Sequence, residues 1–319
     1  MTISKTNKID KVVLKKKSMP VLWSIVRLML LIGISYTILY PLMAKIVLVF
    51  MDSVDLADYT VKWIPRHFSL GNLKIAVELL DYWPTLVKTI GYCLLISVLQ
   101  VTVTTLSAYS FARYKSKFRT VLFILVLATL LIPPHTYMVT LYTQFRYFDI
   151  FGIISLFNGE GINILDTVWV FVALSVTGMG IRCGLYIYVE RQTFAALPYE
   201  LEEAAKVDGA GMFRTFFSVM LPNAIPSVVL CFILSFVWQW NDTFYIGQFA
   251  SNLGMLSQKA TNIRYIVSQY LGGWGTQNTT DGQQMMAVGI FLCVIPVVIM
   301  FVLCQRAFVQ GVERSGLVG

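Results

Sequence analysis

The chain has 319 residues, 57% of them hydrophobic and 13% charged, with a mean hydropathy of +0.69. Those values describe a polytopic membrane protein and exclude an ordinary soluble domain. The net charge of +8 is concentrated in two places: the N-terminal tail (Lys5, Lys8, Lys11, Lys15, Lys16, Lys17) and one short loop (Arg113, Lys115, Lys117, Arg119). The positive-inside rule puts both in the cytoplasm, and with no folded polar surface to go with them they do not signal nucleic-acid binding.

In chain order, residues 1–20 form a polar cytoplasmic tail, expected to be partly disordered, and 21–319 a single transmembrane domain. About six apolar spans are expected, at 21–51, 83–112, 120–142, 167–189, 224–246 and 285–305, each long enough for a hydrocarbon core of about 30 Å. The first is too long for a signal-peptide core and reads as a retained anchor. Residues 52–82, 143–166 and 247–284 are placed outside. The first and last of these are either partner or lid surfaces or plain connecting loops. Span 2 carries Thr, Ser and Gln100, which suit close helix packing. Span 3 is broken late by Pro133-Pro134, with His135 following as a structural or interfacial histidine. Gly178, Gly180 and Gly184 offer close contacts in span 4, and Arg182 is expected to snorkel to its inner end. Both termini come out cytoplasmic.

Span 5 ends in Trp238-Gln239-Trp240-Asn241-Asp242-Thr243-Phe244-Tyr245. Trp238, Trp240, Asn241, Asp242 and Tyr245 form a candidate substrate path. Aromatic rings cover the C–H faces of a sugar while amide and carboxylate groups bond its hydroxyls. An interfacial aromatic belt is the competing account of the same residues.

The five cysteines have neither metal-ligand nor paired-disulfide spacing. No catalytic constellation stands out, and Gly-Lys never occurs as a dipeptide, so there is no ordinary P-loop.

The densest polar segment is Leu197 to Pro226, within a cytoplasmic loop assigned to 190–223. Pro198 suits a first helical position. Glu200, Glu202 and Glu203 suit the positive end of a helix dipole, and Glu202 precedes Lys206 by one turn. Gly209 supplies a left-handed stop. The expected form is helix, Gly turn, helix.

Glu203-Ala204-Ala205, three residues, Gly209, nine residues, Val219, one residue, and Leu221-Pro222 reproduce every spacing of the EAA loop. The chain therefore resembles the permease subunits of ATP-binding-cassette (ABC) importers. Leu197-Pro198, Asp208-Gly209-Ala210, Trp240-Asn241-Asp242 and the stretch from Gln305-Arg306 through Gly311 extend the resemblance to the branch that imports maltose and related oligosaccharides. It is firm from Arg191 onward, looser over Ile90–Pro134 and weak at the N-terminus.

The resemblance implies an all-α membrane fold whose EAA coupling helix, between spans 4 and 5, docks on an ATPase. Glu200, Glu203, Ala204, Ala205, Asp208, Gly209, Leu221 and Pro222 are the implied coupling residues. The implied partners are two ABC ATPase subunits, a second homologous permease, an external or periplasmic solute-binding protein and membrane lipid. The chain itself is expected to bind no cofactor, ATP and Mg entering through the ATPases, and to reside in a bacterial cell membrane. The tail from Glu313 to Gly319 departs from the family's pattern, which puts a tail contact with the ATPase in doubt. The rivals are a permease for another solute such as glycerol phosphate, whose site would need Arg or Lys facing the cavity, and a stand-alone ion-coupled carrier.

Overall fold

The computed structural model describes residues 3–316 apart from 59, 62, 274, 277 and 278, and describes side chains from Trp23 to Arg306 except 53 and 158. The lysines of the tail, Trp274 and the final residues from Glu313 therefore lie outside what is described at side-chain level. Among the described residues there is no β-strand, only two isolated bridges, Met51 with Phe68 and Phe148 with Ile162.

Among the described residues, four helices are long and apolar enough to cross a bilayer: Trp23–Val49, Tyr82–Arg113, Met212–Asn241 and Thr280–Arg306. The first belongs to α1 (Ile3–Val49), a helix that already begins within the N-terminal tail. The second is α4 (Tyr82–Arg113) and the last lies in α16 (Thr280–Gly316).

The expected third and fourth spans are not single helices. The third is α5 (Arg119–Leu131), a 3-10 turn at Pro134–Thr136, and α6 (Met138–Arg146). Two successive prolines withdraw two N–H donors and push Ile132 and Pro133 into extended conformations (ψ 118° and 136°). The fourth is α8 (Trp169–Val176) and α9 (Cys183–Ala196), separated by a break in which Gly178 and Arg182 both have positive φ (73° and 61°).

Of the glycines expected at helix contacts, Gly184 fits that role. A Cβ there would stand 2.9 Å from Thr129 Oγ1 and 3.0 Å from the Val126 carbonyl of α5. Gly178 instead makes the turn.

The fifth helix starts earlier in the chain than expected. α11 (Met212–Thr215), a π-turn at Phe216–Met220 and α12 (Leu221–Asn241) run on continuously. Pro222 has no N–H for the carbonyl four residues back, and the Leu221 N–H reaches Phe216 O, so the chain absorbs the proline as a π-bulge without ending the helix. α12 packs on α4, α9 and α16, and α4 on α9.

The segments expected outside the membrane carry helices of their own. α2 (Ser53–Ala57) and α3 (Gly71–Leu79) lie between spans 1 and 2. Asn72 donates to Gln284 Oε1 (2.8 Å), and Gln284 in turn donates to Leu48 O (3.0 Å) and Met51 O (2.6 Å). Between Pro134-containing span 3 and α8 lies α7 (Ile153–Asn158). After α12 come α13 (Phe244–Phe249), α14 (Leu256–Thr261) and α15 (Ile263–Tyr270). Lys259 of α14 bonds to Leu80 O and to Thr85 Oγ1, pinning this segment to the start of α4.

Candidate functional site: an exposed helix and a cleft joined by one long helix

The polar island forms α10 (Glu200–Val207). Its N-cap is Tyr199, so Pro198 precedes the helix instead of opening it. Leading into it, Glu190 to Ala196 belong to α9, with Glu190 fully buried, so the loop proper starts at Leu197 and not at 190. Gly209 takes φ +77°, the left-handed stop expected of it, and Ala210 N–H bonds back to Ala205 O (2.9 Å).

Glu200, Glu203, Ala204, Asp208, Gly209 and Pro222 are exposed, Leu221 is half-buried, and Ala205 is buried at 7% exposure. Ala205 thus admits the chain's own neighbouring turn, where an approach by another protein was expected. Glu202 also points inward. Its partner is not Lys206 but Arg113, the last residue of α4, with Nε 3.3 Å from Oε1. The Arg113 guanidinium also donates to Leu197 O and lies 4.3 Å from the Tyr199 ring centre. Around α10 the surface carries apolar side chains with little cover: Val207 is 87% exposed and Phe213 73%. The result is an anionic helix N-terminus beside uncovered apolar side chains, fixed to α4 from below.

At the other end of the fifth helix is a cleft of about 680 Å³. Three interruptions of three different spans meet there: Pro134, His135 and Tyr137; Gly178 to Gly184; and Asn241 to Tyr245. Irregular backbone at membrane depth is tolerated where it lines such a cavity.

Of the expected path residues, Trp238, Asn241, Asp242 and Tyr245 line the cleft. Trp240 does not. It is 4% exposed, stacks on Phe236 and donates its indole N–H to Cys293 O (3.2 Å), which makes it a packing residue between α12 and α16. Asp242 lines the cleft, but its carboxylate is turned to structural use. Its carboxylate accepts the N–H groups of Phe244 (3.1 Å), Tyr245 (3.0 Å) and Ile246 (3.2 Å), capping α13. Tyr245 and Tyr137 share a hydroxyl hydrogen bond (3.1 Å), and His135 stands edge-on to Phe244 with ring centres 4.3 Å apart.

Two functional features were not read from the sequence. Arg182, expected at the inner end of its span, lines the cleft instead, with its guanidinium 4.7 Å from the Trp238 ring centre. Gln100 is a fully buried hub. Its amide N–H groups go to Ile181 O and Cys183 Sγ, and its Oε1 accepts from Ser235 Oγ (2.8 Å) and Gln239 Nε2 (3.2 Å). Gln239 Oε1 accepts in turn from Tyr92 (3.1 Å). A lone Gln among Thr and Ser of span 2 was the only signal, and it pointed equally to packing.

Residues 100–314 match the model of the family described as "Binding-protein-dependent transport system inner membrane component". Similar proteins include the melibiose/raffinose/stachyose import permease protein MelC of Bacillus subtilis (strain 168), 28% identical over 263 residues, covering 82% of this chain and 86% of that protein. The sn-glycerol-3-phosphate transport system permease protein UgpE of Yersinia pestis is 28% identical over 299 residues, covering 90% and 95%. Among solved structures, a chain of a bacterial ABC transporter involved in import of the acidic polysaccharide alginate shares the fold, with a TM-score of 0.70 at 18% identity, covering 90% of this chain and 96% of that one.

Proposed function

The chain belongs to the binding-protein-dependent transport system inner membrane component family, and from that membership we propose that it is one of two permeases in an ATP-driven importer of an oligosaccharide. Carbohydrate import agrees with the melibiose/raffinose/stachyose relative, and the glycerol-phosphate relatives keep a sugar-phosphate cargo within the same class.

The observation that carries the mechanistic reading is continuity. One 30-residue helix, Met212–Asn241, follows directly on α10 at one end and lines the cleft with Trp238 and Asn241 at the other. A displacement of α10 by a docked ATPase is therefore delivered to the cleft wall through a single rigid element. In this reading two ATPase subunits close on ATP and Mg, the exposed Glu203 face of α10 moves with them, and the cleft turns from inward- to outward-facing. There a solute-binding protein hands over its sugar, and hydrolysis returns the bundle. Because the chain carries one docking helix, a second permease supplies the other. Both termini and α10 are cytoplasmic, and the protein is a multi-pass component of a bacterial cell membrane.

The test is mild affinity purification of the chain from its native membrane with mass spectrometry of its companions. A Walker A ATPase and a second permease are expected, and a lone monodisperse chain would overturn the assignment.

A further inference from the structure

We infer that the cargo bears a negative charge, a carboxylate or a phosphate on a saccharide, and that Arg182 is the residue that selects it. This rests on the cleft being the sugar path, as proposed above.

The position of Arg182 is the first ground. Gln100 donates to Ile181 O and to Cys183 Sγ, which sets residue 182 level with the middle of α4 (Tyr82–Arg113). Arg182 is therefore far from either end of the bundle. Arginine side chains are cations in proteins. A cation at that depth calls for a counter-charge, and a charged group inside a span marks a ligand or ion path by default.

The second ground is the absence of a counter-ion within the chain. Among the described residues no carboxylate lies within 4.0 Å of Arg182. Asp242 is the one carboxylate in the cleft lining, and it is 7% exposed with its oxygens taken by three backbone N–H groups of α13. Arg182 itself is exposed to the cleft.

The third ground is the setting. Arg182 holds φ 61°, a conformation a residue with a Cβ adopts at a cost, and the surrounding hub maintains it. Its guanidinium lies over the face of Trp238, 4.7 Å from the ring centre. Arg182 also lines the cleft, where a carboxylate or phosphate can take a forked pair of hydrogen bonds from it. Such an anion would meet the guanidinium there, and the exposed part of Trp238 with the exposed Asn241 side chain suits the pyranose body. A neutral sugar would leave the charge unanswered.

The experiment uses the assembled transporter in proteoliposomes, with its binding protein supplied outside and ATP inside. The probes are digalacturonate and digalactose, the same disaccharide without its carboxylates, together with galactose 6-phosphate. Wild type is expected to take up digalacturonate at least ten times faster than digalactose. Arg182→Gln should bring the two within about two-fold, with Arg182→Lys between them. Basal ATP hydrolysis and thermal stability serve to exclude misfolding.

If galactose 6-phosphate is the preferred, Arg182-dependent cargo, the inference stands with phosphate as the anion. Digalactose taken up as fast as both digalacturonate and galactose 6-phosphate, or a charge preference unchanged in Arg182→Gln, would overturn the inference and leave carbohydrate import standing. A complex that hydrolyses ATP but moves no saccharide would remove both.

Discussion

The Arg113 guanidinium closes α4 onto the exposed helix by meeting the Glu202 carboxylate at 3.3 Å while covering the Tyr199 ring. Both side chains are nearly inaccessible, at 3% and 11%. Removing one partner of such a pair leaves the other charged and poorly solvated, at a cost of about 3–5 kcal/mol. Arg113→Ala is therefore expected to lower the unfolding temperature of the purified chain sharply. The double change Arg113→Met with Glu202→Leu should recover most of it, because no orphan charge remains. Equal melting of wild type and Arg113→Ala would show that the pair contributes nothing.

Much of this region could be read from residue order alone. The acidic first turn of α10, the Gly209 stop and the spacing from Glu203 to Pro222 are local features, set by the dipole, by φ freedom and by chain length between them. Side-chain direction was less accessible. Glu202 pairs well with Lys206 on an isolated helix, but burial against α4 offers it Arg113, and tertiary contact overrides the one-turn pair. Ala205 reads the same whether it faces a partner or its own bundle. Span 4 failed for a similar reason. Its glycines suit both helix packing and a break, and only the Gln100 hub, assembled from residues 81 to 139 positions apart in sequence, decides for the break at Arg182.

Glu203 and Glu202 are adjacent but should respond to mutation in opposite ways. Glu203 is exposed and has no ion-pair partner among the described residues. Reversing it with Glu203→Lys is expected to leave folding within about 0.5 kcal/mol of wild type, as for most surface changes. Capture of the ATPase on affinity purification should fall. Undiminished capture would remove Glu203 from the docking face.

At Gly209 a Cβ would meet nothing within 4 Å, so the only obstacle to a side chain is φ +77°. The left-handed conformation costs a residue with a Cβ roughly 1–2 kcal/mol, and β-branching makes it worse. ATP-driven uptake should therefore decline from Gly209 to Ala to Val, with Asn close to Gly. A flat series would show that the turn geometry is not needed for coupling.

The segment between α1 and α4 carries a pH dependence of its own. Asp55 accepts the His67 backbone N–H at 2.7 Å, and the His67 ring Nδ1 lies 2.8 Å from its other oxygen. These contacts, the backbone one foremost, hold the Asp55 carboxyl below its usual 3.8. As pH falls, the unfolded segment takes up its proton first. The stabilisation is then fully present above about pH 4 and is lost as pH drops through the lower folded value. Amide-exchange protection at His67 should hold from about pH 7 to about pH 4 and decline below that, whereas Asp55→Asn should lack it throughout. Protection that stays unchanged well below about pH 4 would show that the Asp55 carboxylate does not hold the segment.

Trp238 and Trp240 stand two residues apart on α12 and meet different surroundings. Trp240 fills the seam between α12 and α16 and donates to Cys293 O, whereas Trp238 is 41% exposed and faces the cleft beneath Arg182. Trp240→Ala removes a buried ring and should cost about 3–5 kcal/mol, visible as a lower unfolding temperature and less assembled protein. Trp238→Ala should melt close to wild type, yet take up sugar several-fold more slowly because the ring that backs Arg182 and covers the pyranose face is gone. Measuring stability and uptake together on the two variants separates packing from transport. If Trp238→Ala lost stability and uptake in proportion, the ring would be part of the bundle's core, and the cleft would need another wall for its sugar.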